Sequence, residues 1–160
     1  MSGAGSSGRA MEGAGLVSLW QRMCRLHRRG GASRAMATVI RRYIHWRYAC
    51  HISPLSRPAG WINLPHPVGI VVGHNVEIGE NATIYQNVTL GQSGRGEGYP
   101  VIGADAVIYA GAVVVGPLRI GRAARIGANS VVLSDVPDGA TSVGAPARIV
   151  TQTRKDRLSA

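Results

Sequence analysis

LPHPVGIVVGHNVEIGENATIYQNVTLG, residues Leu64 to Gly91, returns an aliphatic side chain every six places, at Val72, Ile78, Ile84 and Leu90. Neither a helix, with its period near 3.6, nor a lone strand, with its period of two, produces that interval. The beat continues at Ile102, Ile108, Val114, Ile120, Ile126 and Val132, so all ten beat positions are Ile, Leu or Val. These types fill 19 of the 62 residues from Val72 to Leu133, and chance would place about three of them at ten sites. Glycine follows the beat at positions 73, 79, 91, 103, 121 and 127. Four places after the beat come mostly small residues: Val76, Ala82, Val88, Ala106, Ala112, Leu118, Ala124 and Ser130.

Short strands send one side chain inward and the next outward, and a turn every six residues makes successive strands the sides of a coil. Three beats then close one turn of a triangular prism, and the aliphatic residues of each coil stack beneath those of the next. The expectation is a parallel β-helix, with the glycines supplying backbone angles at the corners that other residues resist. A sandwich of short strands competes poorly, because its turns come irregularly and at 8 to 12 residues. Between Leu90 and Ile102 the in-register residue would be Gly96, inside GQSGRGEGYP. That segment reads as an excursion from the coil. It matches neither the GxxxxGK[ST] nor the GxGxxG pattern of phosphate-cradling loops, and a loop on a rigid scaffold more plausibly covers a site on a neighbouring coil or chain.

The chain has 160 residues, 45% hydrophobic but only 5% aromatic and without phenylalanine, which suits one narrow aliphatic core. Its formal charge of +10 is unevenly placed. Eight arginines and no acid lie between Leu16 and Ala49, whereas five arginines face six acids from His66 to Val150. With no aromatic-rich basic sheet and no zinc-ligand spacing, a nucleic-acid partner is not expected. Cys24 and Cys50 lack CxxC spacing and the density of a secreted scaffold, so reduced thiols and a cytoplasmic location are expected. No run of about 18 apolar residues occurs.

Residues 1–15 read as a flexible Gly/Ser leader, 16–50 as a basic amphipathic helical segment, 51–150 as the β-helix and 151–160 as a C-terminal tail. In the helical segment Leu16, Trp20, Met23 and Leu26 or His27 mark one stripe, stopped by Gly30 and Gly31. Met36, Val39, Ile40, Tyr43, Ile44 and Tyr48 mark the next. Packing of these stripes on the chain's own domain is preferred to peripheral contact with an anionic membrane.

The segments LPHPVGIVVG, IYQNVTLG, IGANSVVLSDVP and VGAPARIV resemble hexapeptide-repeat acyltransferases, most closely the serine acetyltransferase branch, over about His51 to Val150. The resemblance implies an all-β repeat fold, a left-handed parallel β-helix preceded by a short helical segment. It also implies a homotrimer that binds acetyl-CoA between adjacent prisms and requires no metal. Handedness is not contained in the spacing and runs against the usual right-handed crossover. The resemblance makes His66 the general base, which takes the proton from a small acceptor's hydroxyl as that oxygen attacks the thioester. A neutral imidazole suits that role near neutral pH. From the residues alone, a histidine between Pro65 and Pro67 reads as a solvated turn residue in preference to a catalytic one. The same resemblance places the backbone of Ala110 and Ala128 along the pantetheine arm with Gly91 nearby, and offers Arg148 to the CoA phosphates.

Three departures concern the acceptor. His51 stands where serine-acetylating members carry an aspartate that orients the catalytic histidine. Gly98 and Tyr99 stand before Pro100 in place of an Arg-His pair that holds the substrate carboxylate. The excursion is two residues shorter. This looks like the subset that acetylates sugars or other metabolites, with Tyr99, Arg95 and His51 as candidate acceptor contacts. His74 reads as an exposed corner residue. Two other classes are a γ-carbonic-anhydrase-like metal-dependent hydratase, for which the repeats hold only His66 and His74 of three needed ligands, and a non-catalytic β-helix adaptor.

Overall fold

The computed structural model describes residues 5–94 and 98–150, with side chains from residue 13 onward. Two helices, α1 (Gly5–Arg29) and α2 (Ala32–Tyr48), precede a left-handed parallel β-helix. Helix α1 begins at Gly5, so the stretch expected to be a flexible leader is helical in its described part. Gly13 explains why glycine is kept inside that helix. A Cβ there would run into the backbone carbonyl of Leu64, so α1 lies directly on the prism.

The prism has three faces of two- to four-residue strands. Face one stacks His51–Ile52, Val71–Val72, Thr89–Gly91, Val113–Val115 and Val131–Val132. Face two stacks Arg57–Pro58, Glu77–Ile78, Val101–Ile102 and Arg119–Ile120. Face three stacks Thr83–Ile84, Val107–Ile108, Arg125–Ile126 and Thr141–Gly144, and Ala147–Val150 folds back antiparallel on the last of these. Val72 pairs with Leu90, an 18-residue step of three beats, but Ile78 pairs with Ile102, a step of 24. The additional six residues are the excursion, which leaves the corner between faces one and two.

All ten beat residues are at most 2% exposed, and the eight that follow four places later are at most 6% exposed. Each aliphatic side chain removed from water in this way contributes roughly 1.5–3 kcal/mol. The corner glycines act differently from expectation. None of the six that follow the beat has positive φ. Left-handed backbone falls instead on Gly69, Asn75, Asn81, Asn87, Asp105, Gly111, Ala123 and Asn129, again in multiples of six. Asn and Asp tolerate that conformation through local hydrogen bonding, which is why they recur there. The glycines at the corner between faces two and three serve close stacking. A Cβ on Gly79 would sit 2.5 Å from the Ala104 nitrogen, and one on Gly103 2.7 Å from the Arg122 nitrogen.

The stripe expected on α1 packs as read: Leu16, Trp20 and Met23 are fully buried. The Trp20 indole donates to Ser56 Oγ at 2.8 Å, and Ser56 in turn donates to the Ser53 carbonyl at 2.6 Å, tying α1 to the first coil. On α2 the stripe divides. Ala37, Ile40 and Ile44 are buried, whereas Met36, Val39 and Tyr43 are 47–59% exposed, because α2 turns a narrower face to α1 and the prism than its apolar content would permit. Among the described residues no helix is long and apolar enough to cross a membrane.

Candidate active site

His66 stands in the turn that enters face one from face three, at the top of that corner. The turn is fixed from both sides. Val68 N–H donates to the His66 carbonyl at 2.8 Å, and Gly69 N–H donates to the Tyr48 carbonyl at the end of α2 at 3.3 Å. The buried Cys50 thiol donates to the Pro67 carbonyl at 3.7 Å and its sulfur accepts the Ile70 N–H at 3.4 Å. Burial pushes the Cys50 thiol pKa above its ordinary value, so it stays a neutral donor. With its backbone held, the His66 ring projects into solvent.

Below His66 the same corner carries a column of side chains from successive coils. The His66 and Tyr85 rings are 6.2 Å apart, and Tyr85 stacks on Tyr109 at 5.3 Å with planes 25° apart. Sequence reading missed this ladder. Its signal was Tyr in place of the usual Gly immediately after the beat at Ile84 and Ile108. Gln86 sits beside it, and its Oε1 is buried with no hydrogen-bond partner among the described residues. One coil lower comes Ala110 and, after a further coil, Ala128. Gly111 N–H donates to the Gln86 carbonyl and Asn129 N–H to the Ala110 carbonyl. The N–H groups of Ala110 and Ala128 have no acceptor among the described residues.

Arg148 ends the column. Its strand pairs with Val143, which in turn packs on Gly127, the neighbour of Ala128. The guanidinium is exposed, with one nitrogen donating to the Ala147 carbonyl at 3.2 Å. From the rung of His66 to that of Arg148 the face-three ladder descends five strand spacings, about 24 Å at a spacing near 4.8 Å. An imidazole at one end, free backbone donors between and a cation at the other suit an elongated ligand whose reactive group and phosphates lie far apart. No group of three or more His, Cys, Asp or Glu side chains among the described residues is placed to hold a metal ion.

The remaining candidates lie elsewhere. Gly91 ends a strand of face one at the excursion corner, where a Cβ would meet nothing within 4 Å. Tyr99 packs over Gly73 at the same corner, 6.5 Å from the His74 ring. His51 is on face one with its ring 4.3 Å from that of His45, so its ring packs against α2. Arg95 lies outside the described residues, as does the tail 151–160. Spacing along the chain does not join His51, His74 and α2, yet they share one groove. One chain therefore carries the candidate residues on two separate edges, the His66 corner and the excursion corner.

Comparison with known proteins bears on this geometry. A family model, bacterial transferase hexapeptide (six repeats), matches residues 99–134. The serine acetyltransferase of Bacillus pumilus is 41% identical over 122 residues, covering 75% of this chain and 56% of that protein. A solved serine acetyltransferase in complex with CoA superposes with a TM-score of 0.77 at 34% identity, covering 84% of this chain and 55% of that one. Soybean serine acetyltransferase complexed with serine gives 0.78 at 38% identity, covering 84% and 56%. The chain thus spans a little over half the length of these relatives.

Proposed function

We propose that this chain, a hexapeptide-repeat protein related to the serine acetyltransferases through its helices and prism, moves an acetyl group directly from acetyl-CoA to the hydroxyl of a small acceptor, L-serine or a sugar or other metabolite. The observation that carries the reading is the single corner on which His66, the free N–H groups of Ala110 and Ala128, and Arg148 are aligned.

In this reading acetyl-CoA, when bound, supplies an activated acyl group. Arg148 holds phosphate oxygens through its guanidinium. Ala110 and Ala128 receive the arm on their backbone donors, which their small side chains leave accessible. His66 accepts the acceptor's hydroxyl proton as the new ester bond forms, then returns it to the departing sulfur. A backbone N–H at the corner steadies the oxyanion between those events. Neither cysteine acts as an acyl carrier, since Cys24 and Cys50 are both buried with raised pKa values.

The two separate edges favour a homotrimer. A three-fold arrangement would set the His66 corner of one prism against the excursion corner of the next, bringing Gly91 and Tyr99 to a site that one chain leaves open on one side. In this reading the chain works in the cytoplasm without a metal.

The test follows thiol release from acetyl-CoA with L-serine and a sugar panel, for the wild type and His66→Ala. Loss of the general base should lower kcat by 10²-fold or more. Equal rates would remove His66 from the chemistry, and no thiol release with any acceptor would count against acetyl transfer itself.

A further inference from the structure

Between α2 and face one runs a groove of about 590 Å³ lined by Arg41, Arg42, His45, Trp46, His51 and His74, with no acidic side chain in its lining. The basic groups come from three places in the chain: the last turns of α2, the first strand of face one and the corner after Val72. Among the described residues no acid pairs with Arg41 or Arg42, whereas Arg57 on face two and Arg122 in the turn after it do have carboxylate partners. The Trp46 indole is 82% exposed at the groove, the most solvent-open large apolar side chain described. Tyr99, which packs on Gly73 beside His74, places the rim at the excursion corner.

The two guanidiniums of Arg41 and Arg42 face one concavity without a carboxylate counterion and repel one another, an anionic ligand relieves that repulsion, and the imidazoles of His45, His51 and His74 add polar hydrogen-bonding nitrogens to the same lining. Two adjacent guanidiniums offer planar forks that match carboxylate or phosphate oxygens. An exposed indole adds a flat apolar face of the kind that covers the C–H side of a sugar ring. We propose that this groove binds a carbohydrate bearing a carboxylate or phosphate. Resting on the acetyl-transfer reading above, that carbohydrate is the acceptor whose hydroxyl reaches His66 of a neighbouring prism. The groove thereby supplies from α2 the cation that Gly98 and Tyr99 do not.

Tryptophan fluorescence of the intact protein, without acetyl-CoA, separates the site from the reaction. Titrations use glucuronate, glucose 1-phosphate, glucose, L-serine and CoA in turn. Saturable quenching by at least one acidic sugar is expected, with glucose and L-serine binding at least tenfold more weakly. The quench should disappear in Trp46→Phe. The double variant Arg41→Gln/Arg42→Gln should raise the Kd for the acidic sugar at least tenfold, and Arg41→Lys/Arg42→Lys should restore part of it. Raising NaCl on the wild type should weaken the acidic sugar and leave glucose unaffected, a readout independent of any variant's folding. Equal affinity for glucose and glucuronate, an unchanged Kd in the double variant, or quenching by CoA alone would each overturn the site. Thiol release with the bound sugar is scored separately. Binding without turnover leaves the groove standing and removes the bound sugar as the acceptor, while failure to release thiol with any acceptor counts against acetyl transfer.

Discussion

The prism and helix α2 are built from similar aliphatic residues, yet their periodicities constrain side chains very differently. Every beat residue of the prism is buried. On α2 the apolar residues divide, with Ala37, Ile40 and Ile44 inside and Met36, Val39, Tyr43 and Trp46 outside. In a solenoid the inward direction is set by the coil itself, since a residue displaced by one place would change face and break the stack above and below. A surface helix has no such internal reference. Which side of α2 turns inward depends on α1 and on the first coils, and a stripe of apolar residues only bounds the answer.

Substitutions can break this comparison or sharpen it. Ile108→Ala, in the middle of the stack, should cost about 4 kcal/mol in urea unfolding, because neighbouring coils cannot collapse into the cavity. If the loss were below about 1 kcal/mol, the stack would not be the rigid element described. Gly79→Ala should cost on the order of 3 kcal/mol, since its Cβ meets backbone rather than a flexible side chain. Gly139→Ala, with open space around a φ of 67°, should cost only about 1 kcal/mol. Trp20→Phe keeps most of the buried ring but leaves Ser56 Oγ without its donor, and should lower stability by about 1.5 kcal/mol. On the outer side of α2, Val39→Ser should change the unfolding free energy by less than about 0.5 kcal/mol. A large loss there would mean that this side is covered in the assembled protein.

The thiols give a pH test of the joint between the two regions. Burial raises the pKa of both Cys24 and Cys50 above the ordinary 9.0, so the folded chain keeps protons that the unfolded chain releases. Their contribution to stability is complete below pH 9.0 and is lost as pH rises from there through the raised folded values. Unfolding midpoints measured from pH 8 to 10 should fall more steeply for the wild type than for Cys24→Ala/Cys50→Ala.

The six-residue beat made the prism legible, because it encodes both the inward position and the coil length. The role of the glycines was not legible. A glycine that avoids a clash with the next coil and one that adopts positive φ look alike in a sequence, and only the hexad-spaced Asn75, Asn81, Asn87 and Asn129 betray which position bends. For the site, His66, Ala110, Ala128 and Arg148 were reached through resemblance, and the structure places them along one corner. Gly91 and Tyr99 lie on another. That separation is a property of the triangle and is invisible to spacing along the chain. The α2 groove was out of reach altogether, since it exists only once the helix has chosen its face.

The last strands, Thr141–Gly144 and Ala147–Val150, run antiparallel to each other at the foot of face three, while α1 lies across the opposite end of the prism. A tube of parallel strands is otherwise an unfinished ladder at both ends, open to another copy adding coils without limit. The reversed hairpin offers a mismatched rung and the helix a steric lid. Such termini resist lengthwise polymerisation of the prism into fibres.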